Sequence, residues 1–218
     1  MKNDELRPTL LGMKLISNVS DDLIAALQLG PRHKSLGFVT ANMDDVTYTA
    51  LDEATKDSDV DVVYARSMYA GSANASTKLA GEVIGIIAGP SPAEVRSGLA
   101  SIRSFLEHGS CFVSANDDDS IVYYAHTISR TGTYLSKVAG IREGEALAYL
   151  IAPPMEAIYG LDAALKAADV KLVTFYGPPT ETNFGGGLLT GSQSACQSAC
   201  AAFSQAVCAV AEYPREYD

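Results

Sequence analysis

Two adjacent carboxylates, Asp44 and Asp45, stand at the start of a segment with helical periodicity. Acidic side chains at such a place bond the free N–H groups of the first turn and complement the helix dipole. Paired carboxylates also bind a small ammonium ion, above all where a neutral hydrogen-bonding group lies beside them. Glu82 follows one loop of small and polar residues, and Thr182 lies in another, so the sequence also offers a further carboxylate and a neutral hydroxyl in loops. Both interpretations, helix capping and cation binding, stay open.

Signatures of catalysis are missing from the sequence. His33, His108 and His126 fit neither a triad nor a metal-ligand pattern. The glycine run at 185–187 lacks the lysine of a phosphate-binding loop, which predicts a flexible loop instead. The four cysteines form no Cys-x-x-Cys pair, and three of them recur at the near-helical spacing typical of a buried helix face. We therefore expect no enzyme, no cofactor and no bound metal.

Composition narrows the classes of protein further. The 218 residues are 47% hydrophobic and 19% charged, which is typical of a folded globular protein rather than a disordered one. Asp and Glu exceed Lys and Arg by 26 to 16, for a formal charge of −10, which argues against binding to nucleic acid or an anionic membrane. We find no apolar run of membrane-spanning length and no signal-peptide pattern, so we expect a soluble, cytosolic protein.

The elements that must position these residues occur twice. Residues 51–60 match 161–170 at a separation of 110, with Leu, Asp, Ala, Lys, Asp and Val recurring in place. Similar matches at separations of 111, 112 and 102 join 36–39 to 147–150, 16–17 to 128–129, and 89–91 to 191–193. A separation that changes only at loops is typical of two copies of one domain. We place the copies at 1–108 and 109–218, with a linker near 107–119.

Each copy has the same predicted order of helices and strands. Helices are expected at 21–27, 46–58 and 92–107 in the first copy and at 132–138, 155–168 and 194–213 in the second. Strands are expected at 35–40, 60–66 and 83–88, and at 146–151, 170–176 and 187–190. Strands that alternate with Ala-rich helices predict an α/β fold, an α+β sandwich of about 100 residues per copy.

The second copy contains a segment that resembles a known family. Residues 156–173, EAIYGLDAALKAADVKLV, are similar to the helix-and-strand signature of bacterial microcompartment shell domains, and Gly191 with the following small-residue helix matches the closing element of that signature. In the first copy the signature is degenerate, since Ala50 stands where the second copy has Gly160. Two copies, each with an extra strand and helix before the signature, resemble the tandem, circularly permuted subclass of these shell proteins.

The resemblance implies a structural role in a cytoplasmic shell. Three chains would form a pseudo-hexameric tile, a homotrimer that meets other shell proteins edge to edge. The two loops that follow the second strand of each copy would line a central pore that opens and closes by loop movement. The pore-loop residues are Met68, Tyr69, Ala70, Gly71, Ser72 and Asn74 in the first copy, and Thr180, Glu181, Asn183, Phe184, Gly185 and Gly186 in the second.

The resemblance also implies a ligand, because the most similar subclass members belong to ethanolamine-utilisation compartments. It suggests that Asp44, Asp45, Glu82, the backbone of Phe112, and Thr182 gather at a small pore that binds ethanolamine. The alternative is a soluble small-molecule-binding regulatory protein built from the same repeat, without shell assembly. A third interpretation is an enzyme with its site between the copies. Trimers that assemble into flat arrays would distinguish the shell protein from both.

Overall fold

A computed structural model describes residues 1–68, 79, 81–178, 180 and 182–216. The chain divides into two compact units. The N-terminal unit comprises Arg7–Ser110 and Gly132–Leu135, and the C-terminal unit comprises Met1–Leu6, Cys111–Thr131 and Ser136–Asp218.

Ten strands and six helices occur among these described residues. The strands are β1 (Glu5–Leu6), β2 (Leu10–Ile16), β3 (Ser35–Ala41), β4 (Asp61–Ser67), β5 (Val83–Gly89), β6 (Phe112–Ser114), β7 (Val122–Ile128), β8 (Ala146–Ala152), β9 (Val170–Tyr176) and β10 (Gly185–Gly191). The helices are α1 (Asp21–Ala26), α2 (Asp44–Asp57), α3 (Pro92–His108), α4 (Thr133–Ala139), α5 (Pro154–Ala167) and α6 (Gln193–Glu212). The structure thus confirms the mixed α/β class.

The N-terminal unit is built on a four-stranded antiparallel sheet with the strand order β2-β3-β5-β4. Helices α2 and α3 pack on each other and on this sheet. Their buried faces, which include Leu51 and Ile102, meet Val39 and Ile87 of the central strands in the core. The apolar alternation of β3 and β5 therefore has a helical layer to cover it.

The C-terminal unit has a six-stranded sheet with the order β1-β6-β7-β8-β10-β9. Helix α6 buries Cys196, Cys200 and Phe203 in the core of this unit, while Cys208 is half-buried. The predicted buried thiol face is therefore confirmed at two of the three positions. By length and composition α6 is the one helix in the described part of the chain that could cross a membrane. Its apolar side chains instead form a core against β8 and β10.

The pairing of strands shows the repeat directly. Ser35 of β3 pairs with Gly89 of β5, and Ala146 of β8 pairs with Gly191 of β10. Ser35 and Ala146 are equivalent residues 111 apart, and Gly89 and Gly191 are equivalent residues 102 apart, the two separations that the sequence predicts for this part of the repeat. A bulge also recurs, between Val62 and Tyr64 in β4 and, 110 residues later, between Leu172 and Thr174 in β9.

The last helix of each copy begins with the same cap. Ser91 Oγ accepts the N–H of Glu94 at 3.3 Å, and Ser192 Oγ accepts the N–H of Ala195 at 3.1 Å. These positions are 101 residues apart, not 102 as the sequence match had it, because Pro90 has no counterpart between Gly191 and Ser192. The same separation joins the buried faces, listed as Val95, Gly98, Leu99, Ile102 and Leu106 in α3, and Cys196, Ala199, Cys200, Phe203 and Val207 in α6.

Two local predictions are wrong. The predicted linker contains strand β6, which pairs with both β1 and β7. The predicted flexible loop at 185–187 is instead the start of β10, so Gly185 and Gly186 are strand residues. At Gly186 the φ angle is +151°, and a Cβ atom would lie 1.9 Å from the carbonyl oxygen of Leu150. Glycine is required here by close approach of the neighbouring strand rather than by loop mobility.

Candidate functional site

The acidic candidates lie at one end of the sheet in the N-terminal unit. Ala41, the last residue of β3, pairs with Val83, the first residue of β5, which in turn pairs with Ser67, the last residue of β4. Helix α2 starts three residues after Ala41, and Glu82 directly precedes β5. The sheet therefore brings Asp44, Asp45 and Glu82, which are distant in sequence, to the same edge.

Backbone bonds hold Glu82 on both sides. Its N–H donates to the carbonyl oxygen of Ala41 at 2.9 Å, and its own carbonyl accepts the N–H of Met68 at 2.7 Å. The preceding Gly81 has a φ of +50°, and a Cβ atom there would lie 2.2 Å from the Ala41 oxygen. Only glycine meets both conditions, so Gly81 permits the approach that fixes Glu82.

Asp44 and Asp45 form the first turn of α2 rather than preceding it, because the helix starts at Asp44 after Met43. Both are buried, at 7% and 8% exposure. The N–H of Asp45 donates to Oδ1 of Asp44 at 2.9 Å. The Asp44 carboxylate thus serves the helix end, as the capping interpretation expects, and the dipole of α2 favours its charge.

The carboxylates of Asp44 and Glu82 influence each other. Burial raises the pKa of Glu82, and the negative charge of Asp44 raises it further. Two carboxylates that repel each other are stabilised by a cation between them, because the cation removes their repulsion and accepts their free lone pairs. This edge therefore has the negative charge that recognition of a small cation would require.

The other two ligand candidates lie in the C-terminal unit. Phe112 in β6 packs edge-on against Phe184, with ring centroids 5.8 Å apart. Thr182 stands two residues before Phe184 in a turn that is closed by the Thr180 N–H donating to the Phe184 carbonyl at 3.1 Å. Its hydroxyl lies 3.4 Å from that of Thr180. The structure therefore places Asp44, Asp45 and Glu82 together in one unit, and Phe112 and Thr182 in the other.

The predicted pore-loop residues fall in three groups. Met68, Thr180, Asn183 and Phe184 are described and lie at strand ends or in the turn before β10. Gly185 and Gly186 belong to β10 itself, as corrected above. Outside the described residues lie Tyr69, Ala70, Gly71, Ser72, Asn74 and Glu181.

Two hydroxyl groups beside the acids are not predicted by the sequence. Ser67 Oγ donates to Oδ2 of Asp44 at 2.6 Å, and the Tyr48 hydroxyl lies 2.6 Å from Ser67 Oγ. The position of Tyr48, one helical turn after Asp44, is a sequence signal that could have found it. Ser67 has no such signal, because its place beside Asp44 depends on the pairing of β4 with β5.

The chain is similar to proteins of one family. The family model for the BMC domain matches residues 35–116. This match falls on the first copy, although the resemblance in sequence was carried by the second. A shell protein named EutL from Clostridium perfringens is 70% identical over 98% of this chain and 99% of its own length. The chain belongs to the family of bacterial microcompartment shell proteins.

Further relatives specify the subclass. The shell protein EutL of Escherichia coli K12 is 51% identical over 97% of this chain and 96% of its own. A crystal structure of the ethanolamine utilization protein EutL from Leptotrichia buccalis matches with a TM-score of 0.96 and 66% identity, covering 100% of both chains. The chain is thus a structural shell protein of the EutL type, located in the microcompartment shell in the cytoplasm, and not an enzyme.

Proposed function

We propose that three chains close into a pseudo-hexameric tile with a central pore, and that such tiles meet other shell proteins edge to edge. The observation that supports the ring is the repeat itself. Two copies, proposed at 1–108 and 109–218, share strand register, bulge and helix cap, so three chains supply six similar wedges around an axis. The segments at 68–76 and 180–187, the second of which runs into β10, would line the pore.

The acid cluster carries the second part of the proposal, a small pore that binds ethanolamine. Ethanolamine has one cationic amine and one hydroxyl, and the N-terminal unit offers buried Asp44 and Asp45 beside Glu82. Phe112 and Thr182 enter the proposal from the family resemblance alone, as a backbone group and a hydroxyl for the ligand. Bound ethanolamine would shift the pore loops toward closure by its greater affinity for the closed arrangement.

Assembly is tested by sedimentation and electron microscopy of the purified chain. We expect a particle of three times the 22.9 kDa chain mass and flat hexagonal arrays as the concentration rises. A monomer, or a discrete oligomer that never forms arrays, would contradict the tile.

Ligand binding is tested by calorimetric titration with ethanolamine and with the neutral diol ethylene glycol. Asp45→Asn removes one buried charge and should weaken ethanolamine about tenfold or more, since a bond to a charged group contributes roughly 1.5–3 kcal/mol. Asp162→Asn is the matched control, because Asp162 is an exposed aspartate of the other copy. Equal affinity for the diol and the amine would exclude a site built for a cation.

A further inference from the structure

We propose that Tyr48 and Ser67 form a hydroxyl relay that orients the Asp44 carboxylate for binding an ammonium group. The inference rests on the proposed ethanolamine site and adds two positioning residues to it. Neither hydroxyl needs to touch the ligand, because both act through Asp44.

The direction of the relay follows from counting protons. Ser67 has one hydroxyl hydrogen, and it is donated to Oδ2 of Asp44 at 2.6 Å. The contact of 2.6 Å between Tyr48 and Ser67 therefore has Tyr48 as donor and Ser67 Oγ as acceptor. Two hydroxyls in series polarise each other, and the final donor meets a carboxylate, which makes the last bond a strong one.

Both oxygens of Asp44 are fixed by this arrangement. Oδ1 accepts the N–H of Asp45, and Oδ2 accepts the hydroxyl of Ser67. The plane of the carboxylate is thus set, while each oxygen keeps a second lone pair for a ligand. Orienting Asp44 before the ligand arrives spares the cost of ordering it on binding.

The repeat provides an internal comparison within the same chain. In the second copy, 110 residues later, Ile158 stands at the position of Tyr48, Gly177 at that of Ser67, and Pro154 at that of Asp44. Both hydroxyls and the carboxylate are therefore replaced together by groups that neither donate nor accept through a side chain. Such joint replacement favours a shared task for the three residues over a general role in folding, since the second copy folds without them.

The test is titration with ethanolamine of the full-length protein and of single variants. Ser67→Ala should weaken binding about fivefold or more. Tyr48→Phe should weaken it about twofold, because Tyr48 reaches Asp44 only through Ser67. Ser67→Thr keeps a hydroxyl and should restore binding to within about twofold of the parent. The double variant Ser67→Ala with Tyr48→Phe should bind like Ser67→Ala alone, since the two residues act in series.

The chain offers a matched control in Ser101. Its hydroxyl donates to the Asp57 carboxylate at the same 2.6 Å, but on the exposed surface of the same unit. Ser101→Ala should bind ethanolamine like the parent, and thermal unfolding of each variant shows whether it is folded. Unchanged affinity in a folded Ser67→Ala, or a Ser67→Thr variant no better than Ser67→Ala, would overturn the relay alone. Loss of binding by the parent and Ser101→Ala alike would overturn the ethanolamine site and the relay together.

Discussion

The two copies share their strands and turns but differ in the side chain that follows one equivalent turn. Gly81 before β5 and Asn183 before β10 are 102 residues apart and both have positive φ angles, of 50° and 64°. The next residue is Glu82 in the first copy and Phe184 in the second. The turn is kept, whereas the side chain that follows it changes from a carboxylate to an aromatic ring. Duplication therefore allows one copy to place a carboxylate at this turn without altering the strands on either side of it.

A second pair of equivalent residues shows the same principle in the helices. Asp52 in α2 and Asp162 in α5 each have a lysine four residues later. The Asp52 side chain is 0% exposed and accepts the N–H groups of Gly132 at 2.7 Å and Leu135 at 2.8 Å. Asp162 is 63% exposed, and within the described part of the chain its side chain pairs only with Lys166. One sequence motif therefore has a structural task in one copy and a surface position in the other.

The largest effect is expected from removing these aspartates in turn. Asp52→Ala leaves two buried N–H groups without their acceptor, and should cost about 2–4 kcal/mol in the free energy of unfolding. Asp162→Ala removes an exposed ion pair and should cost about 0.5 kcal/mol or less. Urea denaturation followed by circular dichroism measures both. Equal losses would break the distinction between the two helices.

The two turns before β5 and β10 give the next prediction. Gly81→Ala places a side chain where φ is +50° and where the Ala41 oxygen is 2.2 Å from the new Cβ, so it should cost about 1–3 kcal/mol. Asn183→Gly relieves a left-handed residue and should leave stability unchanged within about 0.5 kcal/mol or raise it slightly. The same denaturation measurement compares them. A neutral Gly81→Ala would show that Glu82 is not held through this close approach.

Most of the helices and strands are predictable from the sequence, but the surroundings of Asp44 and Asp52 are not. The predicted strand at 170–176 is β9 to the residue, and the helices differ from their predicted bounds by one or two residues, because apolar periodicity is local information. The sequence analysis does not predict strands β1, β2, β6 and β7. The burial of Asp52 and the approach of Ser67 to Asp44 depend on pairing between distant segments, and no local pattern encodes it. The glycines at 185–187 were predicted to form a loop because glycine is common in turns. In β10, however, glycine permits the close approach of a neighbouring strand.

The smallest expected effect concerns pH, and it separates Glu82 from its counterpart Phe184, which does not titrate. Burial and Asp44 raise the pKa of Glu82 above the ordinary value of 4.5. The protonated form, favoured at low pH, offers one negative charge fewer to an ammonium ligand. Affinity for ethanolamine should therefore rise as pH increases from 4.5 and level off above the raised pKa, because the amine itself stays charged until about pH 9–10. One pH unit below that pKa, the ionised fraction of Glu82 is about tenfold lower, so loss of the Glu82 charge weakens binding at that pH by at most about tenfold.

Glu82→Gln tests whether this rise belongs to Glu82. The variant keeps the backbone bonds to Ala41 and Met68, but its side chain carries no charge at any pH. Its affinity should be lower than that of the parent at neutral pH, and the part of the pH profile due to Glu82 should disappear.

The pH dependence of stability has the opposite sign. Because the pKa of Glu82 is raised in the folded state, its contribution to stability is fully present below pH 4.5 and is lost as pH rises through the raised value. The two pH profiles can be compared directly. If affinity for ethanolamine rises with pH while the ligand-free protein loses a little stability, the repulsion between Asp44 and Glu82 destabilises the free protein and is removed when the cation binds. A parallel rise of affinity in Glu82→Gln would show that the rise does not belong to Glu82.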